Sequence, residues 1–82
     1  METREKIREY IIENFLFGDS DPLSSDSTSL LDEGIIDSVG VMELVAFLEQ
    51  DFGLKIADDE LVPENLDSVD NLVGYVSRKT AA

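Results

Sequence analysis

The sequence predicts an all-α fold: a small bundle of three main helices plus one short helix, with a long first loop. Three observations predict it. Apolar residues recur at helical spacing in three separate stretches. No stretch alternates apolar and polar residues for long enough to suggest a sheet. The 82 residues leave room for one domain, spanning 1–82, and there is no Cys to staple it. The core must therefore be built from the 43 % of residues that are apolar.

The first helix is expected over residues 4–17. Thr3 is its predicted N-cap, Glu5 suits the positive end of the helix dipole, and Ile7, Tyr10, Ile11 and Phe15 share one face. Gly18 is the predicted stop. From Asp19 to Ser29 the chain is rich in Asp and Ser and contains Pro22, a long loop by ordinary standards. Leu23, Leu30 and Leu31 are expected to pin it to the core. Gly34 breaks the chain again, and Ile35 and Ile36 lead into a second helix over residues 38–52, closed at Gly53. Leu54-Lys55-Ile56 reads as an extended connector. Asp58, Asp59 and Glu60 open a brief third helical turn, which Pro63 is expected to limit. Ser68 caps the last helix, whose stripe is Val69, Leu72, Val73 and Val76. Arg78 and Lys79 complement its negative end, and residues 79–82 are expected to fray.

The second helix carries apolar residues on two sides. At about 100° per residue, Val41, Val45, Leu48 and Phe52 form one stripe with Leu44 beside it. Val39, Met42 and Ala46 fall on roughly the opposite side, interleaved with Glu43, Glu49 and Gln50. A bundle this small cannot easily bury both. The second side therefore reads as a docking strip next to Ser38, apolar in the middle and charged at the rim.

Charge excludes several classes of function. Nineteen acidic residues face six basic ones, a formal charge of −13. Between Arg8 and Lys55 there are eleven carboxylates and no Lys or Arg. Such a surface repels nucleic acid and anionic lipid and attracts basic protein surfaces. No apolar run reaches the length of a membrane span, and Met1 to Lys6 lacks the apolar core of a signal peptide. A cytoplasmic monomer is expected.

Ser38 stands after Asp37 where a polar loop meets an apolar run. As a nucleophile it lacks a base: there is no His, and nothing positions Lys55 for that role. Ile36 occupies the position where a nucleophile elbow requires Gly. The Asp19-Ser20-Asp21 segment fails as a calcium loop, with Ser24 and Leu30 where Gly and Glu are needed. A hydroxyl with no activating base is better suited to modification by another enzyme than to catalysis.

The segment Asp37-Ser38-Val39, preceded by Leu30-Leu31-Asp32-Glu33-Gly34 and followed at a distance by Phe52-Gly53-Leu54-Lys55-Ile56, resembles the acyl carrier protein family and its peptidyl and D-alanyl carrier relatives. The likeness covers nearly the whole chain. It implies a non-catalytic carrier of acyl-carrier-protein-like fold, with 4′-phosphopantetheine on Ser38 and an acyl or aminoacyl cargo held as a thioester. It also implies a phosphopantetheinyl transferase, a loading ligase and a downstream transferase or synthase as partners. Asp37 would belong to the attachment site, and Val39, Met42, Glu43, Ala46 and Glu49 to the docking face.

Two positions depart from the fatty-acid carriers. Leu and then an acidic residue usually follow the serine there, whereas this chain has Val39 and Gly40. The departures suggest a dedicated acyl or aminoacyl system, with Gly40 admitting a partner close to the arm. Phe15, Phe47 and Phe52 are expected to fill space between the helices, which favours a short cargo displayed outside the bundle. An acidic helical adaptor without a prosthetic group is the alternative from another class.

Overall fold

The structure is a computed structural model and describes residues 3–81. Four α-helices follow one another: α1 (Thr3–Phe15), α2 (Ser38–Phe52), α3 (Pro63–Leu66) and α4 (Val69–Ala81). Single 3-10 turns stand at Asp21–Leu23 and Asp58–Glu60, and no strand occurs among the described residues. The all-α architecture of three long helices, one short helix and a long first loop is the one expected. α4 packs against each of the other three helices. Ile7, Ile11, Leu44, Leu48 and Leu72 are completely buried at the centre. Each such side chain contributes about 1.5–3 kcal/mol of transfer free energy, most of it offset by the entropy of ordering the chain.

Helix α1 ends at Phe15, short of the predicted boundary. The chain turns there because two successive residues are left-handed, Phe17 at φ 53° and Gly18 at φ 88°. The Leu16 and Gly18 N–H groups both donate to the Ile12 carbonyl, at 3.2 and 2.9 Å. Thr3 lies within the helix rather than capping it.

Two carboxylates hold the loop between α1 and α2. Asp26 accepts from Arg4 Nη1 at 2.6 Å and Arg8 Nη1 at 2.7 Å, both on α1. Arg4 also donates to Asp70 of α4 at 2.6 Å, and the Asp70 N–H donates to the Asp26 carbonyl at 3.0 Å. Partial burial would raise the Asp26 carboxyl, but the two guanidinium groups outweigh it and hold the group below the ordinary carboxylate range. Asp67, between α3 and α4, holds the loop further along. It accepts from Ser29 Oγ at 2.6 Å and the Leu31 N–H at 2.9 Å, and its carbonyl accepts the Leu30 N–H at 2.6 Å. Leu23 and Leu30 are buried as expected. Leu31 is not: it is 42 % exposed, because its backbone is drawn out to Asp67 at the rim.

Pro63 opens α3 rather than limiting the turn before it. Proline suits a first helical position, where its missing N–H costs nothing. The preceding turn is closed by Glu60, whose carboxylate accepts the Ala57 N–H at 3.0 Å and Lys79 Nζ at 3.0 Å. Those two contacts, the backbone one first, lower the Glu60 proton affinity. Ser68 caps α4 through Asn71 N–H at 3.1 Å, as the sequence suggested. The helix then continues to Ala81, through the residues expected to fray. The Thr80 hydroxyl donates to the Val76 carbonyl at 2.9 Å, and the Lys79–Glu60 pair ties this end to the bundle. Tyr75 joins the core although the stripe read from the sequence omitted it. Burial, and after it the nearby Glu60 carboxylate, push its hydroxyl up to about 12.

Candidate functional site

Helix α2 begins at Ser38 because Asp37 caps it. Asp37 is extended (φ −107°, ψ −173°), and its Oδ1 accepts the Gly40 N–H at 2.8 Å. The Asp37 carbonyl accepts the Val41 N–H at 2.9 Å. Among the described residues the N–H groups of Ser38 and Val39 find no acceptor, at the positive end of a 15-residue helix. Ser38 is exposed, and its hydroxyl has no hydrogen-bond partner among the described residues. A tetrahedral anion attached there would meet both free N–H groups and the dipole.

A cavity of about 280 Å³ opens beside Ser38. Its other walls are Leu30, Leu31 and Ile36 from the loop, Val41 from α2, and Leu61, Val62, Pro63 and Leu66 from the α3 region. Every wall residue except Ser38 is apolar. A cavity of roughly 150 Å³ already admits benzene, so several methylene groups would fit.

The aromatic residues lie elsewhere. Tyr10 stacks on Phe47 with ring centroids 4.0 Å apart, and meets Phe15 edge-on at 5.8 Å. Phe47 meets Phe52 edge-on at 5.8 Å. This cluster joins α1 to α2, and none of its rings borders the cavity. The expectation that phenyl rings fill the space available to a cargo is therefore corrected, and with it the argument they offered for a displayed cargo.

Gly40 also has a different reason from the one inferred. It is buried, and a Cβ added there would stand 3.0 Å from Phe15 Cε1 and 3.1 Å from Ile36 Cγ2. The close approach is made by the chain's own α1 and loop. Periodicity could not reveal this, because the closer contact, with Phe15, joins residues far apart in sequence.

The strip on the far side of α2 is present. Val39 is 68 % and Met42 58 % exposed, and Glu43 and Ala46 are exposed beside them. Glu49 stands apart. It is half-buried, and its Oε2 accepts the Ile56 N–H at 3.1 Å, which commits the carboxylate to the connector. The residues missed by sequence reasoning are the cavity walls Val62, Pro63 and Leu66 and the clasp at Asp67. The run of apolar residues around Pro63 was the available signal. Among the described residues no helix is long and apolar enough to cross a membrane.

Comparison with known proteins agrees with this geometry. A family described as "Phosphopantetheine attachment site" matches residues 5–76. The chain is 36 % identical over 76 residues to a probable acyl carrier protein, PigG, of Serratia sp., covering 93 % of this chain and 86 % of that one. It is 37 % identical over 76 residues to an acyl carrier protein of Campylobacter hominis, covering 93 % and 91 %. It is also 35 % identical over 54 residues to a D-alanyl carrier protein of Abiotrophia defectiva, covering 66 % and 68 %. The chain therefore belongs to the phosphopantetheine-attachment family of acyl carrier proteins, which are carriers rather than catalysts. Its prosthetic group is phosphopantetheine, and the adaptor without such a group is set aside.

Proposed function

We propose that this member of the family carries an acyl group as a thioester on a 4′-phosphopantetheine arm attached to Ser38, and presents it to partner enzymes. The observation that carries the proposal is the exposed Ser38 hydroxyl at the start of α2, beside free helix N–H groups and an apolar cavity. The chain's own part is to bind and orient. The first turn of α2 offers N–H donors to the phosphodiester, Asp37 keeps that turn wound, and the cavity takes the apolar portion of the cargo. The arm supplies the thiol that this Cys-free sequence lacks.

The walls favour an acyl over an aminoacyl cargo. An ammonium group placed among Leu, Ile, Val and Pro side chains would lose hydration without gaining a partner. The first methylenes of an acyl chain belong in that space, and this replaces the displayed cargo expected from the sequence. Val39, Met42 and Glu43 form the face for the phosphopantetheinyl transferase and for the enzymes that load and unload the arm.

The attachment site is tested by intact mass. Incubated with coenzyme A and a broad-specificity phosphopantetheinyl transferase, the protein gains one phosphopantetheine, and Ser38→Ala gains none. Modification persisting in Ser38→Ala would overturn the assignment.

A further inference from the structure

The cavity has two walls that the helix lengths alone would not hold together. Leu30 and Leu31 come from the loop, and Pro63 and Leu66 come from α3. Asp67 joins them. Its side chain takes Ser29 Oγ at 2.6 Å and the Leu31 N–H at 2.9 Å, and its carbonyl takes the Leu30 N–H at 2.6 Å. On the other side, the Asp67 N–H donates to the Pro63 carbonyl at 2.9 Å. A single residue thus grips one wall through its carboxylate and carbonyl and the other through its amide. Ser29 Oγ also accepts the Asp32 N–H at 3.1 Å, so the grip extends along the loop. The walls can separate only if these bonds break, and hydrogen bonds to a carboxylate are the stronger kind.

We propose that Asp67 is a positioning residue that sets the width of the cavity beside Ser38, and thereby the length of acyl chain the carrier shelters. The inference rests on the acyl reading above. Asp67 is not among the residues that line the cavity, and acts through Leu30 and Leu31. Removing its carboxylate frees the Leu31 backbone and lets the loop wall move away from Pro63 and Leu66, which makes room for a longer chain.

The test uses the holo-protein acylated with straight chains from butanoyl to dodecanoyl. Amide chemical shifts of Leu30, Leu31, Leu61 and Leu66 are followed against chain length. In the wild type the shifts grow with length and then level off. In Asp67→Ala the levelling is expected at a chain at least two carbons longer. Ser29→Ala, which removes one of the two side-chain bonds, is expected to fall between. Asp67→Asn keeps an acceptor for the Leu31 N–H and an amide that Ser29 Oγ can accept, so it is expected to restore the wild-type length. A purely structural role would lower the melting temperature of every acylated form alike and leave the levelling point in place. An unmoved levelling point in folded Asp67→Ala and Ser29→Ala would overturn the proposal. Shifts independent of length in the wild type would instead overturn the sheltered-cargo reading on which it rests. Should Asp67→Ala fail to fold, Ser29→Ala alone decides, and an unmoved levelling point there refutes it.

Discussion

Replacing Gly40 by Ala tests whether internal packing explains the glycine. Two effects oppose each other. In a helix interior Ala is favoured over Gly by up to about 1 kcal/mol. Against this, the new methyl would stand 3.0 Å from Phe15 Cε1 and 3.1 Å from Ile36 Cγ2. Neither neighbour yields freely. Ile36 is 3 % exposed and its Cγ2 is fixed close to the backbone, while Phe15 is braced edge-on by Tyr10. Overpacking of this sort costs about 1–3 kcal/mol. The expected net result is a loss of about 1 kcal/mol, which for a domain of this size lowers Tm by roughly 4–8 °C. Urea denaturation followed by circular dichroism measures it. In a Phe15→Ala background the ring is gone and Ile36 gains room to shift, so the loss on Gly40→Ala should shrink, and the double-mutant cycle should show coupling of about 1 kcal/mol. Stabilisation by Gly40→Ala in the wild-type background would refute the packing argument. The transferase's kcat/KM for folded Gly40→Ala should stay within a few-fold of wild type, since the glycine faces inward.

Glu43→Lys should lower the transferase's kcat/KM more at low salt than at high salt, because exposed charges are screened; an effect absent at every ionic strength would remove Glu43 from the docking face. Asp26→Asn should destabilise the protein by about 1 kcal/mol near neutral pH, through weaker bonds to Arg4 and Arg8. Because the folded Asp26 pKa lies below its unfolded value, its contribution is present above the ordinary carboxylate range and lost as pH falls through the folded pKa. Wild type and Asp26→Asn should therefore converge in stability on acidification, and a constant difference would contradict the pairing. Added salt or a divalent cation should raise Tm, since net charge −13 opposes compaction; an indifferent melting curve would show that the carboxylates are too far apart to matter.

Where function and fold were legible in the sequence, the signal was local. Periodicity located α1, α2 and α4, and Ser68 announced a cap that the structure contains, whereas the capping role of Asp37 came only with the structure. The exposure of Val39 and Met42 followed from their angular position on α2. What escaped depended on contacts between distant residues. The reason for Gly40 lies in Phe15, the outward placement of Leu31 lies in Asp67, and the role of Glu49 lies in the Ile56 N–H. Pro63 was misread as a stop because proline both ends and begins helices, and only its neighbours decide which. The cavity was invisible because its walls come from three segments that meet only in the folded chain.

The two fastenings of the first loop have a consequence for how the chain is made. Asp67 and Asp70 hold a loop that is translated well before them, and α4 supplies packing for every other helix. On the ribosome, α1, the loop and α2 emerge able to make the Tyr10–Phe47 stack and the Arg8–Asp26 pair, but without the packing that α4 supplies. The Leu30 and Leu31 backbone, and the Asp26 carbonyl, meet their partners only once residues 67–70 have left the exit tunnel. Closure of the bundle thus waits for residues 67–70 and should then proceed in one cooperative step. A transferase that recognises the capped start of α2 within a closed bundle would find it only once residues 67–70 are in place, so the order of events, folding before modification, follows from the order of the fasteners along the chain.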